Sequence, residues 1–230
     1  MNLTTETQKL QNYLKIKDYK AVVYGCEKLI NKFPNNPFLF NLLALALHGS
    51  GNYLIAIDRY KKALDLDPNF LPAKNNLANS YKAIGNFEKA ESYYKNILEI
   101  KPNYIQALNN YANLKTLIFD YNSAIELYNK ALKIDENNIT ILFTLANAYH
   151  AVGETQKTKE LIKKILKLNP KHVSVHKLLS SIIDYSKEEA NLNQMEDIIS
   201  EKNLTNGQIT DLSFALGKAY EDLKKFEKSF

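Results

Sequence analysis

The chain has no tryptophan, one cysteine and one arginine among its 230 residues. A single thiol, Cys26, cannot close an internal disulfide, which excludes the stapled secreted scaffolds and any four-thiolate zinc site and points to a reducing, cytoplasmic setting. The lone arginine, Arg59, qualifies the formal charge of +5, because the excess is carried by lysine. Readers of bases and phosphates favour the planar arginine fork, so this balance does not point to nucleic acid. The start Met1-Asn2-Leu3-Thr4-Thr5-Glu6 has neither the basic residues nor the apolar run of a secretory signal. Long apolar runs are scarce too. Phe38 to Leu47 is interrupted by Asn41 and ends at His48-Gly49, well short of the roughly 20 residues that cross a bilayer, so no membrane span is expected. Also lacking are a Gly-x-Ser-x-Gly elbow, a phosphate loop and a nucleophile beside a base, so no catalytic residue, metal or cofactor is assigned.

What the chain does have is packing material and a clock. A hydrophobic fraction of 45% beside 24% charged residues is the balance of a chain that buries a core. Pro34, Pro68, Pro102 and Pro170 fall at multiples of 34, with only the slot at Glu136 missing. Ala56, Ala90 and Ala124 keep the same interval, and so do Gly51, Gly85 and Gly153, with Phe119 in the skipped slot. Within one interval, apolar residues recur at helical spacing from Pro37 to His48, stop at Gly49-Ser50-Gly51, resume from Tyr53 to Leu66 and stop at Asp67-Pro68. Each interval is therefore two helices: the glycine supplies a positive φ at the reversal, and the proline cannot continue the second helix.

Counted from Pro37, Leu71, Ile105 and Ile139, position 7 holds Leu43, Leu77, Tyr111 and Leu145, and position 8 holds Ala44, Ala78, Ala112 and Ala146. Position 20 holds Ala56, Ala90, Ala124 and Thr158, and position 24 holds Tyr60, Tyr94, Tyr128 and Ile162. This pattern resembles the tetratricopeptide repeat. The resemblance implies an all-α fold, a right-handed superhelical solenoid of helix-turn-helix hairpins, about six to seven in number. Four units occupy 37–70, 71–104, 105–138 and 139–172. Residues 1–36 read as a degraded first unit with a short first helix that caps the stack, and Cys26 as its core thiol. Residues 173–206 read as a divergent pair, with helices over Val173 to Tyr185 and Lys187 to Glu201 and a turn from Asn203 to Gly207. Residues 207–230 read as a truncated final unit whose half hairpin leaves an apolar face for another chain, for oligomerisation, or for a longer continuation.

The segments Gln194 to Ile199 and Leu212 to Leu223 are similar to the junction that precedes the catalytic domain in bacterial sulfotransferases carrying these repeats. That resemblance implies a domain following Phe230 that transfers a sulfuryl group from 3′-phosphoadenylyl sulfate; none of its donor-binding residues has a position in this sequence.

In such an array the first helix of each unit lines the inner face. Position 5 there holds Asn41, Asn75 and Asn109; position 6, Asn76 and Asn110; position 9, Asn79, Asn113 and Asn147. An amide carries both donors and an acceptor, so rows of them match the C=O and N–H groups of an extended peptide without reading its side chains. The rows resemble the asparagine ladder in the repeat superhelix of O-linked N-acetylglucosamine transferase, and the expected partner is a protein or extended peptide. The alternative is that asparagine is simply abundant here and the polar rows face water. A clamp for a peptide carboxylate needs cations in successive units. Only Lys82 and Lys115 are placed for one, with His48 and His150 in neighbouring slots. His172 and His176 share a helix face at a metal-like spacing but lack a third ligand, and read as surface histidines at a helix start. The lysines at 157, 159, 163, 164, 167 and 171 read as the solvated face of an amphipathic helix, with an acidic partner or phosphate surface as the alternative.

Overall fold

The computed structural model describes residues 2–187, 191–201 and 203–228, with the side chain of Lys228 left out. The described residues form thirteen α-helices, one short 3₁₀ turn and no strand. The chain divides into two compact units, the first reaching Leu114 and the second beginning at Lys115. No helix among the described residues is long and apolar enough to cross a membrane.

The first unit holds α1 (Leu3–Lys15), α2 (Tyr19–Ile30), α3 (Pro37–Gly49), α4 (Tyr53–Leu66), α5 (Leu71–Ala83), α6 (Phe87–Ile100) and the larger part of α7 (Ile105–Leu117). Hairpin partners pack together (α1 on α2, α3 on α4, α5 on α6), and each second helix packs on the next first helix, α2 on α3 and α4 on α5. Close approach depends on small residues: Ala44, Ala56, Ala78 and Ala90 are wholly enclosed, and Tyr60 and Tyr94 fill the space beside them. The helix α1 has 13 residues, as many as α3, so the expected short first helix is not found; Asn2 caps it by accepting from Thr4 N. Beneath it Cys26 is completely enclosed among Leu10, Val22 and Leu29, and burial pushes its thiol up to about 12.

The second unit holds the end of α7 and then α8 (Tyr121–Leu132), α9 (Ile139–Ala151), α10 (Thr155–Leu168), α11 (Val173–Ser180), α12 (Leu192–Ile199) and α13 (Asn206–Asp222). Regular stacking persists through α8, α9, α10 and α11. Beyond it the expected helices shrink. The helix expected to reach Tyr185 stops at Ser180, whose hydroxyl, like that of Ser181, turns back to main-chain carbonyls; the helix expected from Lys187 begins at Leu192, with 188–190 outside the described residues. The turn expected through Gly207 is instead the first turn of α13. A capping box explains this: Gln208 N donates to Thr205 Oγ1 while Thr205 N donates to the Gln208 side chain. The helix α13 packs on both α11 and α12, burying Leu212, Ala215, Leu216 and Ala219 and leaving Ile209 and Phe214 exposed.

A buried relay holds this irregular segment. His176 is wholly enclosed, with Nε2 2.7 Å from the Pro170 carbonyl and Nδ1 2.8 Å from the Asn191 amide. Asn191 in turn accepts from the Tyr185 hydroxyl at 2.8 Å, and Tyr185 N donates to Asp222, which pairs with Lys218. These bonds correct the surface reading of the histidines: His176 is a core residue, while His172 stands half-buried at the first position before α11, with no side-chain capping bond, and packs its ring on Phe143. The relay satisfies a neutral ring, Nε2–H donating and Nδ1 accepting. Burial depresses the His176 pKa most; the Pro170 bond opposes that shift and nearby His172 adds to it. Because the folded ring resists protonation, the unfolded chain takes up the proton first and stability falls as pH drops below the ordinary histidine value of about 6.5. Urea unfolding should show a less stable protein at pH 5.0 than at pH 7.5, with a smaller difference in His176→Gln; an equal difference in that variant would place the effect elsewhere.

The reversals follow one rule. Lys17, Gly51, Gly85, Phe119 and Gly153, each 34 apart, all adopt the left-handed region, with φ between 57° and 84° as for Lys224 at the end of α13. At Gly51, Gly85 and Gly153 nothing lies within 4 Å of where a Cβ would sit, so the backbone angle alone selects glycine. Phe119 takes φ of 62° despite its bulk and lies 77% exposed. An L-residue with a side chain loses about 1–2 kcal/mol there. Phe119→Gly should therefore raise stability by about 1 kcal/mol after the entropic cost of glycine is deducted, measured by chemical denaturation.

Candidate functional site

The face of the first helices was the expected site, and the structure divides its asparagines by use. At position 5, Asn41 and Asn75 are only 4% and 6% exposed. Asn76 Nδ2 donates to Asn41 Oδ1 at 3.1 Å, and Asn110 Nδ2 donates to Asn75 Oδ1 at 3.1 Å. Each bond ties position 6 of one hairpin to position 5 of the hairpin before it. The amides of Asn41 and Asn75 thus serve the stack and are sealed from a ligand. Asn109 is half-buried, and its Oδ1 is enclosed without a hydrogen-bond partner among the described residues.

Position 9 has a different logic. The Tyr94 hydroxyl donates to Asn79 Oδ1 at 2.6 Å, so Asn79 satisfies the phenol that position 24 buries in the same hairpin. Where one partner is missing, the other behaves differently. Position 9 of the preceding hairpin is Leu45, and the enclosed Tyr60 hydroxyl has no partner among the described residues. In the hairpin of α9 and α10 position 24 is Ile162, and Asn147 is exposed, with Nδ2 turned to the Phe143 carbonyl at 2.8 Å. Asn113 is half-buried on α7.

On α5 these uses leave a defined set of groups. Asn76 has spent a donor and keeps Oδ1; Asn79 has spent Oδ1 and keeps its Nδ2 donors; Lys82, one turn further along, has no carboxylate partner among the described residues. All three are half-buried. Burial lowers the Lys82 pKa. His48 stands nearby with Nδ1 2.8 Å from Ser80 Oγ, whose own proton goes to the Asn76 carbonyl; the ring therefore donates from Nδ1. Its pKa is lowered by burial first and by Lys82 second. The other expected cation, Lys115, pairs with Asp120 at 3.4 Å. Sequence reasoning saw the amide rows but missed the pairing of Tyr94 with Asn79; their spacing of position 9 with position 24 is not sufficient by itself, since Tyr128, at the same spacing from Asn113, has its hydroxyl 3.3 Å from Thr116 Oγ1.

Hairpins repeated at one interval define the class of helical-repeat proteins. Three profiles described as tetratricopeptide repeat match, over residues 39–70, 70–137 and 119–182, and over this stretch, more than half of its length, the chain belongs to the tetratricopeptide-repeat family. Among solved structures, a thermophilic tetratricopeptide-repeat protein of Thermus thermophilus is 19% identical, with a TM-score of 0.68 over 78% of this chain and 97% of that one. A tetratricopeptide-repeat protein of Parabacteroides merdae is 18% identical, with a TM-score of 0.68 over 98% and 88%. Pseudomonas aeruginosa pilF is 13% identical, with a TM-score of 0.69 over 99% and 97%. At these identities the likeness is one of fold. No curated protein matches the chain. The sulfotransferase resemblance of Gln194 to Phe230 gains no support from these comparisons.

The two tyrosines should respond oppositely to loss of the hydroxyl. Tyr94→Phe should cost about 1 kcal/mol by leaving Asn79 Oδ1 without its donor, whereas Tyr60→Phe, which deletes an unsatisfied hydroxyl, should be neutral or stabilising by up to about 1 kcal/mol. Denaturation of the two variants side by side checks this, and equal losses would sink the pairing argument.

Proposed function

We propose that this chain is a protein-interaction scaffold that holds an extended polypeptide against the first-helix face of its first unit. The observation that carries the reading is the complementarity left on α5. Asn76 offers an acceptor and Asn79 a donor one turn apart, matching the N–H and C=O groups of an extended backbone, and Lys82 adds a cation beyond them. Asn110 and Asn113 occupy the corresponding positions of α7, and Asn147 that of α9. Asn41, Asn75 and Asn109 take a supporting part: Asn41 and Asn75 anchor the outward amides and thereby orient them. At about 0.5–1.5 kcal/mol net per hydrogen bond, a few such contacts give weak, sequence-tolerant capture that a flanking charge can bias.

The test separates binding from folding. Asn79→Asp keeps an acceptor for the Tyr94 hydroxyl but removes the outward donor, and Lys82→Gln removes the charge. A pool of unstructured twelve-residue peptides should be enriched on the native protein, with affinity reduced tenfold or more by the paired substitutions and helicity unchanged. Equal enrichment on both proteins would overturn the assignment of this face.

A further inference from the structure

The second unit carries a broad groove away from its first-helix face. It lies between the second helices α8 and α10, over the floor that α9 provides, and encloses about 980 Å³, far more than one side chain fills. Its origin is local. The helices α4, α6 and α10 have 14 residues and end at Leu66, Ile100 and Leu168, whereas α8, like α2, has 12 and ends two residues earlier in register, at Leu132. Ile134, in register with those three terminal residues, falls outside the helix; it is 44% exposed, much as Ile100 and Leu168 are at the same register, and here it lines the groove. A cross-brace holds the shortened end open: Lys164 Nζ donates to the Glu136 carbonyl at 2.7 Å.

The groove has an apolar bottom and charged edges. Leu142 and Leu145 form the floor, and the partly buried Leu132 and Leu161 form the walls. Lysines stand on both sides: Lys133 at the end of α8, with no hydrogen bond or ion pair from its ammonium among the described residues, and Lys157 and Lys164 along α10. Lys157 sits over the Tyr149 ring at 5.2 Å, its contact with Glu154 a loose 3.5 Å. Two carboxylates, Glu136 and Glu160, also line the groove; Glu160 accepts from the neutral Gln156 and keeps its charge, so three lysines against two carboxylates leave the lining positive by one. From Lys157 to Lys164 the wall runs two helical turns, about 10 Å.

We propose that this groove docks an acidic amphipathic helix of a partner protein, its apolar i, i+3/i+4, i+7 stripe seated between Leu132, Leu161 and Ile134 above the closed floor of Leu142 and Leu145, and its flanking carboxylates reaching Lys133 on one wall and Lys157 on the other. Charge complementarity selects the occupant: an apolar stripe alone fits the floor, but only an acidic rim neutralises lysines on both edges. The residues concerned are separate from the amides and Lys82 of α5, so the two readings stand or fall independently.

The probe is a synthetic eighteen-residue helical peptide with leucines on one stripe and glutamates beside it, compared by fluorescence anisotropy with the same peptide carrying lysine for glutamate. The native chain should bind the acidic peptide at least tenfold more tightly than the basic one. Lys133→Glu with Lys157→Glu, both at the exposed rim, should reverse that preference; Ile134→Ser should weaken the acidic peptide, and Asn79→Asp should leave it unchanged. Absence of binding, equal affinity for both peptides, or an unchanged preference in the rim variant would overturn the proposal. So would sedimentation showing that the native chain pairs with itself and that the rim substitutions abolish the pair, because the occupant would then be a second copy.

Discussion

Each regular hairpin here reverses through one residue in the left-handed backbone region, and the rest of the architecture is built on that constraint. A single positive φ between two helices aims the second back along the first with no spare chain, which lets the enclosed alanines bring the two axes together. Asp18, Asn86 and Asp120, each directly after a left-handed residue, accept from a main-chain N–H of the next turn and start the second helix. Asn52 and Glu154, after Gly51 and Gly153, make no such bond, but in these three hairpins turn and cap form one two-residue device. Its angle matters more than its composition, since lysine and phenylalanine adopt it as well as glycine.

Most of the fold was legible because the repeat writes the same physical requirement several times. Helices α3 to α10 lie close to where proline, glycine and apolar spacing put them, and a missing signal in one unit, such as Phe119 or Glu136, could be read from its neighbours. Legibility failed where repetition failed. The ends of α11 and α12 depend on serine hydroxyls that turn back on the main chain and on a buried histidine whose partners lie in different elements, none of which leaves a periodic trace. The start of α13 was written locally, in Thr205 and Gln208, but Gly207 gave the stronger signal and pointed to a turn.

The asparagine rows show a different limit. Periodicity placed them on one helix face, and there they lie, but face is not the same as availability. Two amides are consumed between hairpins and a third by a buried phenol. What remains for a ligand is decided by which atom of each amide is already engaged, a fact that exists only once the tyrosines and neighbouring repeats are in place. Two physical uses thus account for part of the asparagine abundance: bonds between successive hairpins and a partner for a buried phenol.

The relay from Pro170 through His176, Asn191 and Tyr185 gives the second unit a property its regular hairpins lack. In stacked repeats a defect weakens its immediate neighbours and fades with distance. Groups wired in series behave otherwise, because each orients the next. Loss of any one member leaves a buried donor or acceptor of the next without its partner, so a single change is felt in α11, at the start of α12 and in the stretch between them, while a change in a regular hairpin stays with its neighbours.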